Sequence, residues 1–411
     1  MDGQINKILR KLYVYENRDH VCWFVYTLVL DRGLISYQGY KNNCVDISCN
    51  PALNYDCFMK NFKFFKQTKR AAILSLGLFL SACHQGQQEV TEYQITKTVS
   101  IDESRLIKNS CFSSSFIVDD YVVFIANCDS NYFHVFDKHT LDFRFKFGTS
   151  GRGPAEFDWP FPFLSNTTRL RKDDYFYFYE PNLYQIKKIN FNRIFEGYID
   201  EAAISSYYMD RGTDASFDWN QLDDNRIAAR HYDYPEGLFF IYDTRKDTKS
   251  WAEYIHSFNL SDRLTTQVFY GRLISNGETI FFASRNFDEI LVFDNRGKLL
   301  KEYRFSPVNM PIINTQFMGV ARESIIYFVG VYGNIDASYF LRIAVPGTDS
   351  GWFPKQTQLF EMSWDGELLN VYELDFHPAG ISICENTGYL YAYMSQEWTN
   401  DSITLIKTSL K

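Results

Sequence analysis

Beyond residue 90, apolar and aromatic positions fall in short runs of about six residues, separated by polar turn segments. The runs are rich in Tyr, Phe and β-branched residues, which favour strands. A period near fifty residues predicts a repeated all-β unit. One aromatic strand recurs at about this period, in Tyr121–Ala126, Tyr175–Tyr179, Arg226–His231, Thr279–Ala283, Ile325–Val329 and Tyr389–Met394.

A second apolar strand follows most of these runs and ends with an aromatic residue and then Asp. Asp opens a turn readily because its side chain caps nearby backbone N–H groups. Six units of four short antiparallel strands predict a six-bladed β-propeller. A pair of β-sandwiches is the alternative fold, but it would not explain the repeat. The aromatic–Asp pairs are Phe136-Asp137, Tyr242-Asp243, Phe293-Asp294 and Trp364-Asp365.

The ends of the repeat region predict how the ring closes. The last unit offers only three strands and finishes with Ser402–Lys411, whereas Gln94–Ile101 is a strand with no blade of its own. We expect Gln94–Ile101 to pair as the outer strand of the sixth blade. Such closure removes exposed strand edges, which otherwise promote aggregation.

A secretion signal begins at Met59. A basic stretch is followed by the apolar run 71–80, which fits a secretory signal and is too short to span a bilayer. The tetrapeptide Leu80-Ser81-Ala82-Cys83 resembles the lipobox of bacterial lipoproteins, which implies cleavage before Cys83 and lipidation of that residue. A buried apolar strand with an ordinary cysteine is the alternative.

These signals divide the chain into four parts. We expect residues 1–58 to be a mis-called upstream extension, 59–82 a lipoprotein signal peptide, 83–92 an anchor linker and 93–411 the propeller. The expected location is the bacterial cell envelope, lipid-anchored at the outer membrane. Exposure on the periplasmic side and exposure at the cell surface both remain open.

Composition narrows the choice of partner. The chain has a formal net charge of −8, and residues 83–411 carry 31 basic and 44 acidic residues. Nucleic acids are bound through surplus Lys and Arg, so no nucleic-acid partner is expected.

Cysteines Cys111 and Cys128 flank a predicted hairpin whose turn is Asp119-Asp120. That turn places the two cysteines opposite each other in a non-hydrogen-bonded pair, with Cα atoms about 4.5 Å apart. This spacing lies within disulfide range, and export makes oxidation possible. We predict a Cys111–Cys128 disulfide, with two buried thiols as the alternative, and a buried free thiol at Cys384.

The segment Gly148–Phe157, with the sequence Gly-Thr-Ser-Gly-Arg-Gly-Pro-Ala-Glu-Phe, resembles a loop of TolB-like six-bladed propeller lipoproteins from Gram-negative envelopes. Ala155 departs from the usual Gly-Pro-Gly-Glu-Phe form. The resemblance implies a six-bladed fold and an envelope location, and it implies no settled activity.

The propeller topology predicts where a ligand would bind. We read each recurring aromatic strand as the second strand of its blade. The loop that follows it, between the second and third strands, shares one end of the propeller with the loops that join blades, and together these loops would surround the channel mouth. Aromatic side chains with nearby Arg and acidic groups suit sugars, peptides or other polar ligands. The candidate ligand-binding residues are Arg152, Glu156, Trp159, Glu180, His231, Tyr232, Arg285, Tyr332 and Trp398.

Two classes of function fit this pattern. The first is a non-catalytic binding or scaffold protein for an envelope protein, peptide or glycan. The second is a metal-dependent propeller hydrolase, lactonase or lyase, whose candidate groups would be Glu156, Glu180, His231 and Asp288. No nucleophile elbow or His-Glu-x-x-His motif is present. We therefore favour binding, with no cofactor expected and calcium as the ion to test.

Overall fold

The computed structural model describes the chain in two units, Met1–Gln87 and Gln88–Lys411. In the first unit it describes only three strands. In the second it describes residues 90–108, 111–167, 175–200, 203–208, 216–231, 236–254, 256, 258, 260–314, 316, 319–346, 357–395 and 402–411. The first unit contributes an antiparallel sheet of β1 (Tyr13–Asn17), β2 (Val21–Leu30) and β3 (Gly33–Gly39).

The second unit is a six-bladed β-propeller whose blades are antiparallel four-stranded sheets, one of which carries an added parallel strand. Two strands precede the first blade, and both join later blades. They are β4 (Lys97–Val99) and β5 (Glu103–Lys108).

Blades 1 and 2 follow. Blade 1 comprises β6 (Phe112–Val118), β7 (Tyr121–Ala126), β8 (Asn131–Asp137) and β9 (Phe143–Thr149). Blade 2 comprises β10 (Phe161–Pro162), β11 (Tyr175–Glu180), β12 (Gln185–Asn190) and β13 (Ile204–Tyr208), with 3₁₀ turns Leu164–Thr167 and Pro181–Leu183 and helix α1 (Phe191–Phe195).

Blades 3 and 4 form the middle of the chain. Blade 3 comprises β14 (Ser216–Gln221), β15 (Arg226–His231), β16 (Phe240–Asp243) and β17 (Thr248–Trp251). Helix α2 (Asp262–Val268) precedes blade 4, which comprises β18 (Gly271–Ser275), β19 (Thr279–Ser284), β20 (Glu289–Asp294) and β21 (Leu299–Arg304).

Blades 5 and 6 complete the ring after the small pair β22 (Ile313–Asn314) and β23 (Gly319–Val320). Blade 5 comprises β24 (Ile325–Gly333), β25 (Ala337–Pro346), β26 (Thr357–Ser363) and β27 (Leu368–Leu374). Blade 6 comprises β28 (Gly380–Ile383), β29 (Tyr389–Ser395) and β30 (Ser402–Ser409).

An N-terminal strand closes the ring, as predicted, but it is not the predicted strand. Glu103–Lys108 pairs antiparallel with β30 of blade 6. From the predicted segment Gln94–Ile101, residues Lys97–Val99 instead pair in parallel with β27 as a fifth strand of blade 5. The sequence pattern marks an unpartnered strand here without distinguishing two short strands separated by a bend.

The recurring aromatic strand is the second strand in five blades. In blade 5, Ile325–Val329 belongs to the first strand, β24, so the predicted position is wrong there. Strands β24 and β25 have nine and ten residues, and this extra length shifts the local period.

The core consists of aromatic layers between neighbouring blades. Phe133 of blade 1 meets Phe178 of blade 2 with ring centroids 5.1 Å apart, and Phe281 of blade 4 meets Trp364 of blade 5 at 5.7 Å. Each fully buried aromatic contributes about 1.5–3 kcal/mol through burial alone. The second strands of blades 1 and 4, Tyr121–Ala126 and Thr279–Ser284, are buried on both faces and are accordingly almost entirely apolar.

Cys111 and Cys128 form a disulfide with a Cα–Cα distance of 5.8 Å. The hairpin turn lies at the predicted place, because Val118 pairs with Tyr121. A register shift between Phe112 and Ser114 widens the cysteine pair beyond the spacing expected for an uninterrupted ladder. Cys384 is a buried free thiol.

Within the described residues, no helix is long and apolar enough to cross a membrane. Cys83 and the predicted signal peptide lie outside the described residues.

Candidate functional site

One end of the propeller, which we call the loop face, carries the loops between second and third strands and the loops that join blades. Strands alternate in direction within a blade, so all of these connections share an end. By their positions in the described elements, the predicted residues that lie at the loop face are Arg152, Glu156, Trp159, Glu180, His231 and Arg285.

Tyr332 lies elsewhere, at the opposite end of the propeller. It is near the end of β24, before the hairpin that joins the first and second strands of blade 5. Its placement in a loop between second and third strands depended on reading Ile325–Val329 as a second strand. Tyr332 is buried. Tyr232 and Trp398 lie outside the described residues.

The loop from blade 1 to blade 2 is held by its own backbone and by Glu156. The Glu156 carboxylate accepts a hydrogen bond from Gly153 N at 2.7 Å. A Cβ at Gly151 would lie 2.1 Å from Glu156 Oε2, so any larger residue there would displace this carboxylate. Glu156 therefore shapes the loop.

A buried ion pair lies directly beneath this loop. Lys187 Nζ is 3.2 Å from Glu180 Oε2, and both side chains are fully buried. Glu180 Oε1 accepts a hydrogen bond from Asp158 N at 2.8 Å, and Lys187 donates to the Glu156 carbonyl. Burial raises the pKa of Glu180, and Lys187 opposes that rise. Every partner here lies within the fold.

Two side chains of the same loop point to solvent. Arg152 is 77% exposed and lies 3.8 Å from the Asp158 carboxylate. Trp159 is 46% exposed and packs partly on Phe161, with centroids 5.3 Å apart. Exposed Trp and Arg are the residue types most often found at binding hot spots.

The seam between blades 3 and 4 is built around a bulge at Asp218. Asp218 has φ +53°, and the register of β14 with β15 shifts between Phe217 and Asn220. Aspartate tolerates this left-handed conformation, and a bulge re-aims the side chain. The Asp218 carboxylate accordingly receives Arg272 Nη1 at 3.0 Å and Leu273 N at 3.3 Å, both from blade 4.

Arg230, on β15, lies in this seam and is only 3% exposed. Its guanidinium donates to the Gly271 carbonyl and lies 4.6 Å from the Phe217 ring centroid and 4.5 Å from that of Tyr270. Its Nε is buried without a hydrogen-bond acceptor in the described part of the chain. Burial lowers the pKa of Arg230, and the Asp218 charge opposes this shift.

Two further arginines lie near this seam. Arg285 lies 5.5 Å from the Tyr270 ring centroid, and burial together with the charge of Arg272 lowers the pKa of Arg285. Arg272 has a side chain that is 38% exposed, and Asp218 raises its pKa. We call Arg230, Arg272 and Arg285 the arginine cluster.

Sequence reasoning identified only Arg285 of this cluster, because it lies in a loop. Arg230 and Arg272 lie within strands whose other residues are mostly apolar. A charged residue inside an otherwise buried strand is the signal that could have found them, since such residues are almost never fully buried without a partner.

Asp288, a candidate for catalysis, is engaged elsewhere. Its two carboxylate oxygens accept hydrogen bonds from Arg342 Nε at 2.7 Å and Nη2 at 2.6 Å. This bidentate pair links blade 4 to blade 5 and leaves the carboxylate little capacity for other chemistry.

A third cluster could hold a metal ion. His256, Glu289 and Glu302 each present a ligand atom, and these atoms lie within 4.8 Å of one another. His256 Nε2 is 2.8 Å from Glu289 Oε2, and Glu302 also pairs with Arg304. One imidazole and two carboxylates suit Zn²⁺, whereas Ca²⁺ prefers oxygen ligands alone.

Comparisons with known proteins leave the family open. No protein-family model matches the chain, and no curated protein matches it significantly. A member of the DUF4221 family from Bacteroides vulgatus aligns with a TM-score of 0.50 at 11% identity, over 76% of this chain and 97% of that chain. A Bacteroides fragilis protein named as an exported protein aligns with a TM-score of 0.45 at 13% identity, over 77% and 100%.

At such identities, the likeness to the DUF4221 structure supports the propeller fold alone. The class of protein is thus a six-bladed propeller whose loop face carries exposed aromatic and arginine side chains. Fold by itself assigns no activity, because one propeller architecture serves many functions.

Proposed function

We propose that this chain is an exported, lipid-anchored propeller of the bacterial envelope that binds a protein, peptide or glycan partner through its loop face, without catalysing a reaction. The observation that carries the proposal is that one face of the propeller holds both the loop with the exposed side chains of Trp159 and Arg152 and the arginine cluster near Tyr270. Such combinations of aromatic and guanidinium groups favour recognition of polar ligands.

Export and anchoring are supported from two sides. Leu80-Ser81-Ala82-Cys83 follows a basic and apolar leader, as in bacterial lipoproteins. The resemblance of Gly148–Phe157 to TolB-like lipoproteins favours the same location. Mass spectrometry of the native N-terminus tests the anchor: a mature protein beginning with lipid-modified Cys83 is expected, and an unmodified Cys83 within a longer chain contradicts it.

The binding face is tested by partner recovery from envelope membranes after cross-linking. Trp159→Ala removes the exposed aromatic side chain of the loop face. Leu300→Ala is the matched control, because Leu300 is 59% exposed on the outer strand β21. We expect a partner cross-linked to wild type and Leu300→Ala, and recovery about tenfold lower with Trp159→Ala, as for a typical hot-spot truncation. Equal recovery with both variants contradicts the proposal.

A second candidate, a metal-dependent hydrolase, is favoured by His256, Glu289 and Glu302. The test is a Zn²⁺ titration of the purified chain, followed by assays with lactone and ester substrates. Under the binding proposal we expect no turnover. Zinc-dependent turnover that Glu289→Gln abolishes would establish the hydrolase instead.

A further inference from the structure

The arginine cluster has more positive than negative charge. Its three guanidinium groups face one carboxylate, that of Asp218, which pairs with Arg272. Among the described residues, no carboxylate oxygen lies within 4.0 Å of a nitrogen of Arg230 or Arg285. Elsewhere in the propeller, buried cations have a carboxylate partner, as in Lys187 with Glu180 and Arg342 with Asp288.

Arg230 makes this imbalance costly. A buried cation is destabilising unless a counter-charge and hydrogen-bond acceptors compensate for lost hydration. Arg230 has one carbonyl acceptor and aromatic ring contacts, and its buried Nε has no acceptor in the part of the chain that the structure describes. Ring contacts offset only part of such a cost.

The three guanidinium groups are positioned to act together. The guanidinium groups of Arg230 and Arg285 lie 4.5 Å and 5.5 Å from the centroid of one ring, that of Tyr270. Arg272 lies two positions after Tyr270 in the chain and donates to Asp218 in the same seam. The Gly271 carbonyl that Arg230 reaches is fixed in place, because Gly271 packs so closely on β19 that a Cβ there would lie 2.4 Å from the Ala283 carbonyl oxygen and 2.6 Å from the Phe282 ring. The partly exposed Arg272 and Arg285 leave a route to solvent.

We propose that the arginine cluster is a binding site for a carboxylate group of the ligand. This inference rests on the proposed function, and it specifies the chemical group that the loop face recognises. A guanidinium fork matches a planar carboxylate through two parallel hydrogen bonds. Asp218 already supplies one carboxylate to Arg272, which shows that the cluster accepts this group.

The experiment uses the purified full-length chain and calorimetric titration with four probes. Glucuronate and succinate carry carboxylates, glucose is the neutral counterpart of glucuronate, and inorganic phosphate tests the other common oxyanion. We expect glucuronate or succinate to bind in the millimolar range, glucose not to bind, and affinity to fall as NaCl rises, since screening weakens charge contacts.

Arg285→Gln is the principal variant. Arg285 is only partly buried, so its replacement disturbs the packing of the fold less than replacement of the buried Arg230 would. We expect its carboxylate affinity to fall about tenfold, the effect of losing one charge-assisted hydrogen bond. Arg296→Gln is the matched control. It removes the same charge from an exposed residue of the same blade, in the turn between β20 and β21 at the opposite end. Its affinity should equal that of the wild type.

Three results would overturn the inference. The first is that the folded wild type binds no carboxylate at about 20 mM, a concentration above the millimolar range expected for a small ligand. The second is that Arg285→Gln and the wild type bind carboxylates with equal affinity. The third is that phosphate binds more tightly than either carboxylate. Cross-linking of a partner that depends on Trp159, without carboxylate binding, would leave the proposed function standing and refute only this inference.

Discussion

Two seams of the propeller bury cations in opposite ways. Between blades 1 and 2, Lys187 and Glu180 are both fully buried, and they compensate each other at 3.2 Å. Between blades 3 and 4, Arg230 is almost as deeply buried but has aromatic rings and one carbonyl in place of a carboxylate. The first charge is balanced by a carboxylate within the fold, whereas the second has no carboxylate partner among the described residues.

The largest expected change in stability comes from breaking the buried Lys187–Glu180 pair between blades 1 and 2. Lys187→Met leaves Glu180 as a buried carboxylate without its cation, and we expect a loss of about 3–5 kcal/mol in the free energy of unfolding, measured by urea denaturation. The double variant Glu180→Gln/Lys187→Met removes both charges and should recover most of this loss. If the double variant is as unstable as the single, the pair is not a closed unit.

The disulfide strengthens the same side of the ring. Cys111 and Cys128 are separated by 17 positions, and closing such a loop stabilises the fold by about 3 kcal/mol. We expect reductant to lower the denaturation midpoint of wild type. The variant Cys111→Ala/Cys128→Ala should not respond to reductant. Cys384→Ala is the control and should keep the response, because Cys384 is a free thiol.

Removal of the Asp218 carboxylate tests the seam between blades 3 and 4. Asp218→Asn keeps the side-chain shape and an acceptor for Leu273 N, but it releases Arg272 from its charge partner. We expect carboxylate probes to bind about threefold to tenfold more tightly, because an internal competitor is lost. Asp223→Asn, whose carboxylate pairs with Arg226 at the opposite end, is the control. Weaker binding by Asp218→Asn would mean that Asp218 organises the site.

The smallest effect on stability is expected at the partly exposed ion pair of Asp137 and Arg144, which serves as a reference for the two buried seams. The hydrogen bond from Arg144 lowers the pKa of Asp137 to about 2. A depressed carboxyl pKa stabilises the fold above the unfolded value near 3.9, and this contribution is lost as pH falls through about 2. Arg144→Gln should raise the Asp137 pKa towards its ordinary value in an NMR carboxyl titration. An unchanged pKa would assign the shift to the backbone donors of His139 and Thr140.

The fold was predictable because its signals are local and repeated. Aromatic strands followed by Asp recur at blade spacing, and Phe136-Asp137 and Phe293-Asp294 do end third strands. The closing strand and the Ile325–Val329 strand were misplaced for a related reason. A strand's partner depends on chain length between turns. The bend near residue 100 leaves the hydrophobic pattern unchanged, and the two long strands of blade 5 shift the period without showing which strand is the second.

The candidate site was predictable only in part, because its charges meet through tertiary packing. Arg285 lies in a loop and was found, whereas Arg230 and Arg272 lie in strands of different blades. The bulge at Asp218, which joins them, has no signature beyond an acidic residue between two aromatic ones. Spacing along the chain cannot report such convergence.

The path of residues 91–108 has a mechanical consequence. Thr91 N donates to the Arg304 carbonyl of blade 4, Lys97–Val99 pairs with blade 5, and Glu103–Lys108 pairs with blade 6. Tension entering from the N-terminal side would therefore act on the contacts with blades 4 and 5 before it reaches the closing strand in blade 6. Lys97 Nζ also donates to the Lys411 carbonyl, which ties this N-terminal segment of the propeller to the end of blade 6. A membrane tether at this end would pull on a segment that contacts three of the six blades. These contacts would have to break one after another before the ring opened.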